Sequence, residues 1–159
     1  MLRPTIINGI MVIIKKIKLT PENVKQLIEL SRIWMNEDIT NGLVENEEND
    51  LKEPCFAAFD GEKIIGYAFG HYYVRESKLS SVPVGAKCFE LDELYVLKEY
   101  RSQGIGKALF EAMESEIKKE ADYLTLPTST KDYKRILHFY IEEMGMDFHS
   151  AFLTKKMAD

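Results

Sequence analysis

Two glycines one residue apart, Gly104 and Gly106, stand where the run CFELDELYVL gives way to IGKALFEAMESEI. The first run alternates like a strand. The second carries Ile105, Ala108, Leu109, Ala112, Met113 and Ile117 on one stripe at three- and four-residue spacing, with Lys107, Glu111 and Lys118 outside it. A strand that feeds straight into an amphipathic helix asks for α and β layers around a sheet. The junction also has chemistry of its own. First-turn N–H groups lack intrahelical partners and the helix dipole adds positive charge there. With no side chains at 104 and 106 a phosphate can approach the backbone, and Arg101 and Lys107 can add charge. A tight turn without a ligand would use the same glycines.

The rest of the chain supplies the other elements. Residues 1–9 read as an irregular leader and residues 10–159 as one domain, opening with MVIIKKIKL as a strand. Thr20 is placed to cap a helix with Pro21 at its first position, and Val24, Leu27, Ile28, Ser31, Trp34 and Met35 share a face of it to about Met35. In PCFAAFDGEKIIGYAFGHYYV two strands flank Asp60-Gly61, a hairpin signal because glycine accepts positive φ. A polar loop, ESKLSSVPVGAK, precedes the strand CFELDELYVL. After the helix, YLTLP is a short strand stopped by Pro127. STKDYKRILHFYIEEMG is a helix with Tyr133, Ile136, Leu137, Tyr140, Ile141 and Met144 in register and Gly145 at its end, and MDFHSAFLTKKM is a final strand. The order β, α, acidic segment, β, β, β, α, β, α, β predicts an α/β (α+β) fold, with one mixed, mostly antiparallel sheet flanked by helices.

Composition narrows the partners. A net charge of −5 argues against a nucleic-acid backbone, which wants clustered Lys and Arg. The longest apolar runs, Ile10 to Ile14 and Ile64 to Phe69, fall far short of the roughly 20 residues of a membrane span. The N-terminus has no signal-peptide pattern, so a cytoplasmic location is expected. Cys55 and Cys88 have no CxxC spacing, and His71, His138 and His149 are scattered, so neither a metal site nor a disulfide framework is predicted. Between Asn36 and Glu53, seven acids (Glu37, Asp38, Glu45, Glu47, Glu48, Asp50 and Glu53) face Lys52 alone. This is either a solvated loop or a rim that attracts a cationic substrate.

Two phosphate-binding motifs fail at the junction: a dinucleotide fingerprint needs glycine where Leu109 stands, and a P-loop needs a hydroxyl where Ala108 stands. The larger segment LDELYVLKEYRSQGIGKALFEAM instead resembles the acetyl-CoA signature of the GNAT superfamily of N-acetyltransferases, a strand followed by R/Q-x-x-G-x-G/A at a helix start, here Arg101-Ser102-Gln103-Gly104-Ile105-Gly106. HFYIEEMGM is similar to that superfamily's C-terminal helix, and the likeness spans Met11 to Met157. It implies a GNAT-like acyl-CoA N-acyltransferase fold, with acetyl-CoA as cosubstrate and no metal. By this resemblance backbone amides from Gln103 to Lys107 hold the pyrophosphate, and the strand edge at Leu94, Tyr95 and Val96 pairs with the pantetheine arm.

Acetyl transfer to an amine needs a neutral nitrogen, and alkyl amines have a pKa near about 10, so a base or water relay must take a proton. Glu90, Asp92 and Glu93 are the candidates. Strict alternation puts Glu90 and Asp92 on one face and Glu93 on the other, and a bulge would reverse part of that. LDELYV is similar to an LED[LI]YV-like segment of polyamine acetyltransferases with the two acids exchanged, which points to Asp92 and Glu93, while histone-acetylating members place a base at the spacing of Glu90. Tyr140 resembles the superfamily's general acid for the departing thiolate, although it also lies on its helix's apolar stripe. Tyr133 stands where many members have an asparagine facing the cofactor. The resemblance implies direct attack of the amine, with a main-chain N–H near Val96 at the oxyanion. The expected acceptor is a small cationic amine, polyamine-like or aminoglycoside-like. The alternatives are a protein N-terminus or lysine, or a noncatalytic acyl-CoA sensor. A final strand at an open sheet edge would allow a homodimer.

Overall fold

The computed structural model describes residues 3–7, 9–79 and 81–157. Six strands form one sheet in chain order: β1 (Arg3–Ile7), β2 (Ile10–Ile17), β3 (Cys55–Asp60), β4 (Lys63–Val74), β5 (Lys87–Val96) and β6 (Tyr123–Thr125). All neighbours are antiparallel except β5 and β6. Helix α1 (Pro21–Glu37) starts as its sequence directs, with the Thr20 hydroxyl accepting the Asn23 N–H at 3.3 Å and Pro21 in the first turn. Helix α2 (Ile105–Ile117) and α3 (Tyr133–Leu137) follow, and α3 runs on as a π-helix over His138–Glu143.

The two long helices cover opposite faces of the sheet. Tyr67 on β4 lies beside Tyr95, which stacks on Trp34 of α1 with ring centroids 5.0 Å apart. Its neighbour Gly66 points the other way, where a Cβ would sit 3.4 Å from Leu109 of α2. That alternation explains why β3 and residues 64–70 of β4 are buried one after another and read as continuous apolar runs. Leu27, Leu30 and Ser31 seal α1 on its face, and Leu109, Phe110 and Met113 seal α2 on the other.

Both ends of the chain depart from the expected pattern. Residues 3–7 are a strand and not a leader: the outer edge of β2 offers a ladder that RPTII joins, with Pro4 tolerated because β1 is an edge strand. Of the rest of that leader, Gly9 is in the turn to β2, and residues 1, 2 and 8 lie outside the described residues. At the other end MDFHSAFLTKKM forms no strand. Residues 146–157 pair with no strand among the described residues, and Phe148, Phe152, Leu153 and Met157 are exposed. A β-rich pattern does not make a strand by itself. The open edge on that side belongs to β6.

Candidate active site

Strands β5 and β6 touch only at Cys88–Tyr123, Phe89–Leu124 and Glu90–Thr125, then diverge. From Leu91 to Val96 one edge of β5 has no strand beside it among the described residues, and a cavity of about 790 Å³ opens there. The loop after α1 and the loop after β6 close over it. Asn41 N–H donates to the Ser129 carbonyl and Lys131 N–H to the Ile39 carbonyl, both at 2.9 Å, and the Lys131 ammonium meets Asp38 at 2.7 Å.

One end of the cavity is the glycine turn. Gly104 caps α2 in the left-handed region at φ 85°, which a side chain would strain, and Ser102 shares that region at φ 59°. The first intrahelical bond runs from Ala108 N–H to the Gly104 carbonyl at 3.0 Å, so the N–H groups just before it are the ones a helix start leaves to an outside acceptor. Ser102, Gly104, Ile105, Gly106 and Lys107 line the cavity, as do Leu94, Tyr95 and Val96. Gln103 does not line it; its amide donates to the Glu99 carbonyl at 3.1 Å. Arg101 lines the cavity too and is held by protein partners. Its guanidinium forks onto Glu37 at 2.7 and 2.8 Å, and its Nε donates to the Val96 carbonyl at 2.8 Å. The Tyr95 hydroxyl also donates to Glu37. Burial pushes the Glu37 carboxyl up, but the Arg101 and Tyr95 hydrogen bonds outweigh it and hold it below the usual carboxylate range. Arg101 thus clamps the end of α1 to the turn.

The other end carries carboxylates, and a bulge gathers them. Phe69 pairs with Glu93 and Gly70 with Leu91, which leaves Asp92 as the extra residue on β5. Gly70 makes room for it: a Cβ there would stand 2.0 Å from the Glu90 carbonyl oxygen. With one residue extra, Glu90, Asp92 and Glu93 all project toward the face of Tyr67 and His71. Tyr67 Oη donates to Glu93 Oε2 at 2.6 Å, Asn46 Nδ2 donates to the same oxygen at 2.9 Å, and His71 Nδ1 lies 2.9 Å from Asp92. Burial pushes Glu93 above the usual carboxylate range; Tyr67 and Asn46 pull it back, while the charges of Asp92 and Asp50 add to the rise. Asp92 and Glu93 line the cavity, and Glu90 does not. Glu90 borders a separate hollow with His71, and His71, Glu90 and Asp92 each bring one potential ligand atom within 4.8 Å of the others. That gathering escaped the sequence because the bulge creates it, and Asp92 is already engaged by Lys52 at 3.2 Å as well as by His71.

Tyr140 lines the cavity as well. It belongs to the π-helix, where Met144 N–H reaches back five residues to the Phe139 carbonyl at 2.9 Å. The widened turn breaks the α register expected for residues 133–144, and Tyr133 is exposed and off the cavity. Phe110 and Phe139 flank the Tyr140 ring. Burial pushes the phenol up to about 12. The hydroxyls of Tyr67, Tyr73, Tyr95 and Tyr100 are tied to Glu93, Thr125, Glu37 and Asp60. No described residue engages that of Tyr140, which lines the cavity.

Of the two readings that its composition allows, the acidic segment does not form a charged rim of this cavity. Glu37 pairs with Arg101, Asp38 with Lys131, Glu45 with Arg32 and Glu53 with Lys18, while Glu47 and Asp50 form a capping box. Of the seven acids only Glu37 lines the cavity; the wall beyond it is Ile39 to Leu43. Cys55 and Cys88 are both buried, and burial pushes the Cys55 thiol up to about 12, far from a nucleophile's range. Among the described residues no helix is long and apolar enough to cross a membrane.

Comparison with known proteins bears on this arrangement. The sequence model of the acetyltransferase (GNAT) family matches residues 22–146. No curated protein matches the chain. Among solved structures, an aminoglycoside acetyltransferase from an uncultured soil metagenomic sample in complex with sisomicin superposes with a TM-score of 0.66 at 16% identity, covering 93% of this chain and 97% of that one. AAC(6')-Iy in complex with the bisubstrate analogue CoA-S-monomethyl-acetylneamine gives 0.64 at 14% identity over 93% and 99%. The ribosomal-protein-alanine N-acetyltransferase from Brucella melitensis biovar Abortus 2308 gives 0.65 at 15% identity over 92% and 99%. At such identities the likeness establishes the fold.

Proposed function

The chain belongs to the GNAT family of acetyltransferases, and from that premise we propose that it transfers the acetyl group of acetyl-CoA to a primary amine of a small cationic acceptor by direct attack. The observation that carries the reading is a single cavity running from a helix-start turn of backbone amides, past an unengaged tyrosine hydroxyl, to Asp92 and Glu93. The amides at residues 103–107 take the pyrophosphate and the free edge at Leu94 to Val96 takes the pantetheine arm. Glu93 removes a proton from the acceptor, with Asp92 beside it to hold the cation; Glu90, turned to the neighbouring hollow, is the weakest base candidate. The amine nitrogen bonds to the thioester carbon, the C–S bond breaks, and the Tyr140 hydroxyl donates its proton to the departing sulfur. A phenol near 12 exceeds a thiol near about 8.5, so donation runs together with loss of the amine proton and is completed by re-protonation from solvent.

A second reading has one observation in its favour. With four of the seven segment acids spent on ion pairs and only Glu37 of the seven lining the cavity, the lining carboxylates on the acceptor side are Asp92 and Glu93, enough for the single amino group of a peptide N-terminus. Thiol release from acetyl-CoA across a panel of polyamines, aminoglycosides, neutral amines and peptides separates these readings. The cationic reading expects polycations to have the highest kcat/KM at low salt, with KM rising as salt shortens the screening length from about 10 Å at 0.1 M to about 3 Å at 1 M. Preference for peptides or neutral amines overturns it, and acyl-CoA binding without any turnover would make the protein a sensor.

A further inference from the structure

Asn46 is nearly buried in a segment that is otherwise mostly exposed and acidic, and its two hydrogen-bonding groups do different jobs. Its main-chain N–H donates to the Ser31 hydroxyl at 2.9 Å; Ser31, fully buried on α1, donates in turn to the Ile28 carbonyl at 2.7 Å. Its side-chain amide donates to Glu93 Oε2 at 2.9 Å, the oxygen that Tyr67 also engages. Asn46 does not line the cavity; Glu93 does. Two donors on one oxygen fix the rotation of the carboxylate and leave Oε1 as the oxygen with capacity to accept. We propose that Asn46 is a positioning residue for the base, fastening residues 38–50 to α1 through its backbone and presenting one chosen oxygen of Glu93 to the acceptor through its side chain. The inference rests on Glu93 being the base and adds what sets its orientation and its charge.

The division of labour makes the idea testable, because Asn46→Ala deletes the amide and keeps the main-chain bond to Ser31. The groups facing Glu93 besides Asn46 are Tyr67 on β4, Cys55 on β3, Asp92 on β5, and Asp50 from the loop. Asn46 and Tyr67 are the two neutral donors to Glu93 Oε2, and removing either leaves no new charge. Losing a hydrogen bond that favours the ionised carboxylate moves the acid limb of kcat/KM upward by about one pH unit. Tyr67→Phe moves it in the same direction, and Glu93→Gln removes it. A purely structural Asn46 would lower the melting temperature and leave the limb in place. If Asn46→Ala does not fold, Asn46→Asp serves, since it is nearly isosteric and its carboxylate displaces the limb further than alanine. An unmoved limb in the folded Asn46 variant, alongside loss of the limb in Glu93→Gln, overturns the positioning role alone. A limb that survives Glu93→Gln overturns both it and the base assignment.

Discussion

The two ends of the cavity are made by opposite means. The glycine turn is local: ten residues from Glu99 to Ala108 contain nearly everything that shapes it, and its donors are main-chain N–H groups that need no particular side chain. The carboxylate end is assembled from β5, β4 and the loop after α1, and it exists because Gly70 lets the Asp92 bulge form. A backbone site is insensitive to most substitutions that spare its dihedrals. A side-chain site depends on every contact that aims its carboxylates, so damage to the two ends should separate in experiments.

The most severe test of that separation is Gly70→Ala. A Cβ 2.0 Å from a main-chain oxygen cannot be relieved by a side chain moving, so β5 must shift or lose its bulge. A loss of about 3 kcal/mol or more in unfolding free energy is expected, with turnover falling further than acetyl-CoA affinity in whatever folds. Equal wild-type stability and turnover would show that the bulge is not needed. Next in size, Tyr140→Phe should lower kcat by about 10²-fold while leaving acetyl-CoA affinity intact, read in a chemistry-limited thiol-release assay. Unchanged turnover would return Tyr140 to a packing role beside Phe110 and Phe139.

A smaller effect belongs to the clamp that joins the end of α1 to the glycine turn. Glu37→Gln leaves Arg101 and Tyr95 without their anion and should cost about 2 kcal/mol of stability at pH 7. Because the folded state holds Glu37 below the ordinary carboxylate range, this stabilisation is fully present above that range and is lost as pH falls through the lowered value. The wild-type minus Glu37→Gln difference in urea stability should therefore shrink toward acid. A difference that stays constant down to the acid end contradicts the pairing.

What could be read from the sequence follows the same line. The strand, turn and helix from Lys87 to Ile117 were legible because their signals are local: alternation, two glycines, then a stripe at helical spacing. That Asp92 and Glu93 share a face was not, since alternation separates them and the residue that permits the bulge, Gly70, lies two dozen positions earlier on another strand. The acidity of residues 36–53 could not decide between a solvated loop and a charged rim, for an equally physical reason. Its neutralising partners Lys18, Arg32, Arg101 and Lys131 lie elsewhere in the chain, and a count within the window cannot include them. RPTII and MDFHSAFLTKKM show the same dependence in strands. RPTII pairs along the outer edge of β2, and MDFHSAFLTKKM stays irregular although β6 leaves an edge open. The π-helix around Tyr140 had no sequence signal that α-helical periodicity would reveal.

The most direct test of a cavity with separable ends is calorimetric titration of acetyl-CoA into the wild-type protein, Gly104→Asp and Glu93→Gln, each checked for folding. Gly104 lies at φ 85° at the helix start, so Asp there strains the turn and sets a negative charge where phosphate is placed. Glu93 is joined to the turn by no hydrogen bond, its partners being Tyr67 and Asn46. The account predicts binding by the wild type, the same affinity in Glu93→Gln and a loss of at least tenfold in Gly104→Asp. Undiminished binding by folded Gly104→Asp, or an equal loss in Glu93→Gln, would contradict it.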